Sequence, residues 1–202
     1  MLARDPAGYD RTFRIEPRPL DHDYGLPVRE QHVIRSERLA LRRLDLDDAP
    51  FILELVNEPD WLRFIGDKGV SSLADAEHYL QAGPLAMYER FGFGLYLVER
   101  STDAMPLGMC GLVKRDTLEC VDIGFAFLAR HRGRGFALEA ATATLAHARE
   151  LGLQRLMAIT TPDNAASQKL LKKLGMAFDR EIALTPEAER VHLFVMDLNR
   201  GS

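Results

Sequence analysis

Apolar and polar residues alternate over several short stretches of the chain, and these stretches predict β-strands. The first is HVIRSERLALRRL, residues 32–44. After a helical region the alternation returns in three consecutive segments, FGLYLVER, PLGMCGLVKRD and LECVDIGFAFLA. A turn near Asp116 and Thr117 joins the last two segments as a hairpin. Three further strands are predicted in LQRLMAITT, MAFDREIAL and RVHLFVMDL.

Helical patterns fill the spaces between these strands. FILELVN and PDWLRFI predict short helices, the first of them capped by the aspartates of LDLDDAP. A longer helix starts at SSLADAEHYL and is interrupted near Gly83 and Pro84. HRGRGFALEAATATLAHARELG and DNAASQKLLKKLG predict two helices in the second half, which end at Gly152 and Gly175.

The resulting order is strand, helices, three strands, helix, strand, helix and two strands. Interleaved strands and helices of this kind predict a layered α/β (α+β) domain over residues 33–200. Residues 1–32 carry four prolines among scattered charges and show no sustained period, so we interpret them as an irregular N-terminal extension.

Composition and charge exclude several classes of protein but do not by themselves indicate a function. The chain has 202 residues, 47% hydrophobic and 28% charged, with a net charge of −4, which gives no electrostatic reason to expect nucleic acid as a partner. Cys110 and Cys120 are too few for a disulfide framework. The first residues lack the apolar region of a secretory signal, and no apolar run is long enough to span a bilayer. We expect a cytoplasmic protein that neither enters a membrane nor binds nucleic acid directly.

The most informative segment lies where a predicted strand meets a predicted helix. The backbone N–H groups at a helix N-terminus are unpaired and attract anions, and glycines let an anion approach them closely. Four Arg or His side chains add positive charge at this turn, which indicates a phosphate-bearing ligand. The turn consists of Arg130, His131, Arg132, Gly133, Arg134, Gly135, Phe136 and Ala137.

Three other interpretations of this turn compete. A Gly-rich helix entry with surface arginines needs no ligand. A P-loop requires Gly-Lys followed by Ser or Thr, whereas this turn ends Gly-Phe-Ala. A dinucleotide-binding turn requires a third glycine at position 138, which is Leu138 here.

The turn resembles the Gln/Arg-x-x-Gly-x-Gly/Ala signature of the GNAT superfamily of N-acetyltransferases. The stretches IGFAFLARHRGRGFALEA, NAASQKLLKKLGM and SERLALRRL are similar to its RimJ/RimL-like branch, which contains ribosomal-protein N-acetyltransferases. The resemblance covers roughly residues 36–198. It implies a GNAT fold, a central mixed, splayed and mostly antiparallel sheet of about seven strands with helices on both faces, and acetyl-CoA as co-substrate with no metal.

The resemblance also assigns roles to residues. It implies that the backbone of the strand at Phe125, Ala126 and Phe127 pairs with the pantetheine arm of coenzyme A. It matches Asn164 to a family asparagine that contacts the cofactor arm, and Ser167 to a serine near the thioester sulfur. The remaining cofactor-binding candidates hold the pyrophosphate, and they are Arg132, Gly133, Arg134, Gly135, Phe136, Ala137 and Leu138.

From the residues alone, Asp163 or Asn164 is better explained as a helix N-cap and Ser167 as a first-turn residue. Asp122 is the candidate general base, because the related branch commonly has Glu at this place and an attacking amine must be neutral. An ordinary polar residue on an exposed strand face is the competing interpretation of Asp122. Glu99 and Glu181 are weaker candidates for the base.

The proton donor to the leaving thiolate is Ser167 or water. Many family members place a tyrosine seven residues after the asparagine, where this chain has Leu171. Trp61 and Phe64 lie in the region where the family builds its acceptor pocket, and His192 is a further candidate there; all three are equally explained as structural. The six histidines show no metal-ligand spacing.

The predicted activity is transfer of acetyl from acetyl-CoA to a primary amine by direct attack on the thioester. The acceptor is a protein N-terminal α-amine or a small-molecule amine, and the protein is a monomer or a homodimer. A non-catalytic acyl-CoA sensor and a nucleotide-binding protein are the alternatives.

Overall fold

Eight strands form one mixed sheet at the centre of the protein, whose computed structural model describes residues 32–199. Their order across the sheet is β1-β2-β3-β4-β5-β6-β8-β7, and every pair is antiparallel except β5 with β6. The strands are β1 (His32–Arg35), β2 (Leu39–Arg43), β3 (Leu95–Arg100), β4 (Met105–Val113), β5 (Asp122–Phe127), β6 (Arg155–Thr160), β7 (Ala177–Ala183) and β8 (Arg190–Asp197).

Six α-helices connect and cover these strands. Ser72 caps α3 by accepting a hydrogen bond from the Asp75 backbone, and the Asp75 side chain accepts one from the Ser72 backbone in return. The helices are α1 (Ala49–Val56), α2 (Pro59–Phe64), α3 (Leu73–Leu80), α4 (Ala86–Phe91), α5 (Phe136–Glu150) and α6 (Ala165–Lys173). The element order predicted from the sequence is therefore confirmed.

The first predicted strand is a hairpin of two strands, which gives the sheet eight strands instead of about seven. The backbone N–H of Ser36 donates to the carbonyl of Leu39 at 2.9 Å, closing a turn between β1 and β2. Ile34, Leu39 and Leu41 are all buried. The sequence pattern missed the turn because the four polar residues 35–38 contain no Gly or Pro to mark it.

The interruption predicted near Gly83 and Pro84 is a widened helical turn. Residues Gln81–Leu85 form a π-helical segment that carries α3 directly into α4. A turn of this kind accommodates the missing N–H and the bulk of the Pro84 ring, which would distort a regular α-helix. The chain therefore continues as a helix through a position where a break was expected.

Helices cover the two faces of the sheet unequally. On one face, α5 and α6 pack over a large hydrophobic core that includes Phe136, Leu145 and Leu171. On the other face, α1, α2 and α3 cover a second core built on Leu97 and Met109, which are in β3 and β4. In the part of the chain that the structure describes, no helix is long and apolar enough to cross a membrane.

The same second face continues over β6, β8 and β7, where no helix among residues 32–199 packs on it. We call this surface the open face. Asp122 and Met157 are register partners, so the open face begins beside Asp122. The open face consists of buried Leu118, Met157 and Leu193 with the half-buried residues Cys120, Ile159, Ile182, Leu184 and Val195.

Candidate active site

The sheet splits between its two parallel strands. β5 pairs with β4 along its whole length, from Asp122 to Phe127. With β6 it shares a single register pair, Asp122 with Met157, where the Met157 N–H donates to the Val121 carbonyl at 3.0 Å. Beyond Asp122 the two strands separate, so β5 has one free backbone edge. This is the splay that the sequence resemblance implied.

Alternation along β5 determines which backbone groups face the split. Val121 points its carbonyl toward β6, whereas the N–H of Leu128 donates to the Leu107 carbonyl on the β4 side at 3.0 Å. Both polar groups of a strand residue point to the same side, and the side changes at each residue. The N–H and carbonyl of Phe125 therefore face the split, and those of Ala126 face β4. Of the three residues predicted to pair with a ligand backbone, Phe125 and Phe127 have the right orientation, and the Phe127 carbonyl already accepts a hydrogen bond from Arg132.

Two helix N-termini point at the same end of the split. Because β5 and β6 are parallel, their carboxyl ends lie at one edge of the sheet, and α5 and α6 begin just beyond them. Gly133 and Gly135 have φ angles of +74° and +83°, a region in which a side chain would be strained. The turn exposes the first N–H groups of α5, which have no helical partner. This geometry fits an anionic ligand.

The predicted cluster of four cations is largely neutralised by the neighbouring helices. Arg130 pairs with Glu54 of α1, and Arg132 pairs with Glu58 at 3.1 Å and with Asp60. Arg132 also donates through Nε to the Phe127 carbonyl at 2.8 Å. Arg132 therefore fastens the turn to α2, and a role in phosphate binding is left without support from the geometry.

His131 is not a cation at neutral pH. Burial, followed by the charges of Arg130 and Arg134, holds its pKa below the ordinary value. Its ring is buried, and neither nitrogen has a partner among residues 32–199. Arg134 makes no ion pair within the described chain, so its guanidinium is the one of the four side chains available to an anion.

A clamp that the sequence did not reveal holds the start of α5. Glu139, in the first turn, accepts hydrogen bonds from the Ser36 hydroxyl at 2.7 Å and from the Arg38 backbone at 2.8 Å. The Arg38 guanidinium binds the same carboxylate and donates to the Arg134 carbonyl at 3.1 Å. These partners are about a hundred residues apart in sequence, so no local pattern signals them. The clamp fixes the glycine turn against the β1–β2 hairpin.

Asp122 lies where the sheet splits, and its side chain is buried. Only 2% of the side chain is exposed, which excludes the interpretation of a polar residue on an exposed strand face. Burial raises the pKa of Asp122 to about 6, against the opposing effect of Arg115. The Arg115 Nε donates to both carboxylate oxygens, at 3.1 and 3.2 Å. A carboxylate of this kind is ionised at neutral pH and basic enough to accept a proton.

Two side chains, Tyr79 and Lys68, are close enough to this ion pair for the Arg115 charge to change their pKa. Burial raises the pKa of Tyr79 to about 12, and the Arg115 charge works against that effect. Desolvation by neighbouring groups, followed by the Arg115 charge, lowers the pKa of Lys68 from its ordinary value. Sequence reasoning missed Arg115, Tyr79 and Lys68. Only the β4–β5 hairpin signal pointed to Arg115, because it brings residues 115 and 122 onto neighbouring strand ends.

Asn164 and Ser167 lie at the N-terminus of α6. The Asn164 Oδ1 accepts from the Ser167 backbone N–H at 3.0 Å, so Asn164 is the N-cap that its sequence position suggested. The cap uses only the oxygen, which leaves the Nδ2 group for a ligand. The Ser167 side chain is half-buried. Leu171 is buried in the core and has no polar group for acid catalysis.

The other candidates lie elsewhere. Glu99 is buried beside Arg42 near the Arg100 end of β3, whereas Asp122 lies level with the Leu95 end, three strands away from β2. Glu181 pairs with Arg190 and His192 on the β7–β8 hairpin, and the His192 ring packs edge-on against Phe178. Trp61 is a core residue. Among the described residues, no three His, Cys, Asp or Glu side chains are arranged to hold a metal.

Comparison with known proteins agrees with this geometry. A family model described as an acetyltransferase (GNAT) domain matches residues 38–177, more than two thirds of the chain. The Bacillus subtilis protein YkkB is 29% identical over 152 residues, which cover 73% of this chain and 86% of YkkB. The chain therefore belongs to the GNAT acetyltransferase family, whose members are acetyl-CoA-dependent N-acyltransferases.

Solved structures share the fold at low sequence identity. A GNAT-family acetyltransferase from Bacillus anthracis superimposes with a TM-score of 0.69 at 23% identity, over 83% of this chain and 99% of that one. RimL, a ribosomal L7/L12 α-N-protein acetyltransferase solved with coenzyme A, gives a TM-score of 0.67 at 18% identity, over 85% and 100%. The neighbours thus include the RimJ/RimL-like branch.

Proposed function

We propose that this enzyme acetylates the N-terminal α-amine of a polypeptide, with acetyl-CoA bound in the split between β5 and β6. The observation that carries the proposal is the continuity of the split. One free strand edge runs from the buried carboxylate of Asp122 to the exposed amides at the start of α5. Acetyl-CoA is an extended molecule with a thioester at one end and phosphates at the other. The thioester would lie beside Asp122, and the phosphates would lie at the amides of α5.

The glycine turn supplies the anion site for the pyrophosphate. The backbone amides from Gly133 to Leu138 bind the phosphate oxygens, and Arg134 adds a charge. The N–H and carbonyl of Phe125 pair with the amide groups of the pantetheine arm as an added strand would. Asn164 contacts the arm through its Nδ2 group. Arg132 acts indirectly, by fastening the turn.

The chemistry takes place beside Asp122. An α-amine has a pKa near 7.7–8.0, so a large fraction is neutral at physiological pH and needs little help to attack the thioester carbonyl. Asp122 accepts the proton that the amine nitrogen loses, directly or through one water. As the C–N bond forms and the C–S bond breaks, Ser167 or water donates a proton to the departing thiolate.

A polypeptide acceptor is supported by the surface next to Asp122. The open face begins at Met157, the register partner of Asp122, and its half-buried apolar side chains extend across β6, β8 and β7. The residues that follow an N-terminal amine would cover this surface. The RimL neighbour is itself an α-N-protein acetyltransferase.

The first test is thermal unfolding with acetyl-CoA, ATP and NAD measured side by side. A ligand at 100 times its Kd adds about 2.7 kcal/mol, which raises the Tm of a domain of this size by roughly 5–10 °C. We expect the shift with acetyl-CoA alone. A shift with ATP or NAD instead would make the protein a nucleotide binder. Binding without turnover on any peptide or small amine would make it an acyl-CoA sensor.

A substitution in the turn tests the location of the site. Gly135→Glu places bulk and negative charge at the amides of α5, so we expect the acetyl-CoA shift to disappear. Gly152→Glu is the matched control, because Gly152 has a similar φ of +77° at the other end of the same helix. Both variants carry the same backbone strain. A normal acetyl-CoA shift in Gly135→Glu contradicts the proposed site.

A further inference from the structure

We propose that Arg115 selects the acceptor: its Nε holds the base Asp122, while its terminal nitrogens, with Lys68 beside them, bind a carboxylate carried by the acceptor amine. This inference rests on the proposed function and adds the chemical class of the acceptor. It makes Arg115 a positioning residue for the base and a specificity residue for the substrate.

The geometry of Arg115 divides its guanidinium into two parts. The Nε is shared between both oxygens of Asp122, at 3.1 and 3.2 Å. The two terminal nitrogens make no hydrogen bond within residues 32–199, and 40% of the Arg115 side chain is exposed whereas Asp122 is almost completely buried. The inner edge of the guanidinium is therefore occupied by the base, and its outer edge is available to a ligand.

Two other arginines near the split, Arg130 and Arg132, differ from Arg115 in this respect. Arg130 offers both terminal nitrogens to Glu54, and Arg132 offers its terminal nitrogens to Glu58 and Asp60. Carboxylates of this chain saturate those two guanidinium groups. At Arg115 the corresponding carboxylate is missing from the described structure, and an anionic substrate group would supply it.

Cations outnumber anions around this outer edge. Lys68 lies close enough for the Arg115 charge to lower its pKa, and its ammonium has only a carbonyl contact, to Ile65 at 3.4 Å. Lys114 donates to the carbonyl of Leu118 at 2.8 Å, within the β4–β5 turn.

The carboxylates nearest in sequence do not balance these cations. Asp67 accepts a hydrogen bond from the Gly69 backbone at 2.7 Å. Asp116 and Glu119 are exposed and make no ion pair with Arg115 or Lys68 in the described chain.

The like charges of Arg115 and Lys68 favour a particular substrate chemistry. A planar guanidinium binds a carboxylate through two parallel hydrogen bonds, which Lys68 strengthens. Positive neighbours also disfavour the ammonium form of a bound amine. The matching acceptor is a primary amine with a carboxylate a few bonds away. That carboxylate belongs either to an acidic side chain near a peptide N-terminus or to a free amino acid.

The test compares acceptors that differ only in one negative charge. Peptides with Glu or Gln as the second residue form one pair, and serine with serine amide forms the other. We expect the wild type to prefer the carboxylate member of one pair by about ten- to hundredfold in kcat/KM. A preference in the peptide pair identifies an acidic peptide as the source, and one in the serine pair identifies a free amino acid.

Three variants connect the preference to these residues. Arg115→Gln should reduce the ratio within the preferred pair to about one, and Lys68→Gln, an exposed change that spares the fold, should reduce it several-fold. Arg90→Gln, at an exposed position of α4, should leave the ratio unchanged. Equal use of both members of each pair by the wild type, or an unchanged ratio in Arg115→Gln and Lys68→Gln, overturns this inference alone. Lack of turnover on the whole panel overturns the proposed function as well.

Discussion

Two arginine–carboxylate clusters lie on this sheet, and they differ in which partner is buried. Arg42 of β2 is buried together with both of its carboxylates, Asp48 and Glu99. Burial alone would lower the pKa of Arg42, but hydrogen bonds and charge attraction from Asp48 and Glu99 raise it above its ordinary value. In the second cluster, the carboxylate of Asp122 is buried but Arg115 is partly exposed.

The difference distinguishes an ion pair that stabilises the fold from one whose carboxylate can take part in catalysis. Every N–H-bearing nitrogen of Arg42 has an acceptor, and the Asp48 carboxylate also accepts from the Asp45 backbone at 2.9 Å. When the nitrogens and carboxylates of a cluster are all paired with one another, the cluster cannot bind a ligand without losing one of those pairs. Asp122 has a single ionic partner, and the effect of burial on its pKa exceeds that of Arg115. An incompletely compensated buried carboxylate is poised to exchange a proton.

The largest expected effect is on catalysis. Asp122→Asn removes the proton acceptor while keeping size and shape, so we expect kcat/KM to fall by about 10²–10⁴-fold. In the wild type, kcat/KM should decline as pH drops below about 6, where Asp122 becomes protonated. Steady-state kinetics from pH 5 to 9 measure both. Full kcat/KM in Asp122→Asn would show that Asp122 is not the base.

Asp48→Asn should mainly affect stability. It removes one of the two carboxylates that pair with buried Arg42 and leaves Glu99 as the remaining partner. Breaking a buried pair outright costs about 3–5 kcal/mol, so we expect a loss toward the lower end of that range. Denaturant unfolding measures the loss, with Glu77→Gln, at an exposed position of α3, as a control that should change little. We expect kcat/KM of the folded fraction to stay near normal. A catalytic loss as large as that of Asp122→Asn would abolish the distinction between the two clusters.

The smallest effect should have the opposite sign. Because burial raises the pKa of Asp122 above its ordinary value of 3.8, the folded protein holds this proton more tightly than the unfolded chain does. Wild-type stability therefore decreases as pH rises from about 4 to 6. Asp122→Asn lacks this loss and should be more stable than wild type at pH 8 by at most about 3 kcal/mol, the free-energy equivalent of this pKa shift. Unfolding at pH 4 and pH 8 tests this, and a less stable Asp122→Asn at pH 8 would place Asp122 among the structural carboxylates.

Local patterns predicted the elements of the site better than its charges. The positions of α5 and α6 followed from their periodicity and end signals, and the cap at Asn164 followed from its place before a helix. The hairpin of β1 and β2 was missed because its turn lacks Gly and Pro. Assignments of ligand contacts to the glycine turn, Asn164 and Ser167 stay predictions.

The sequence by itself determined the order of the elements, the glycine turn between β5 and α5, and the membership of the chain in its family. These features depend on neighbouring residues, whose spacing fixes hydrogen bonds and backbone angles locally. Only the tertiary structure decided which charged side chains are paired and which are buried. Arg132 meets Glu58 and Arg38 meets Glu139 across 74 and 101 residues. Asp122 is buried because β4, β5 and β6 meet at its position. Its pKa depends on the groups that surround it in the fold rather than on its neighbours in sequence.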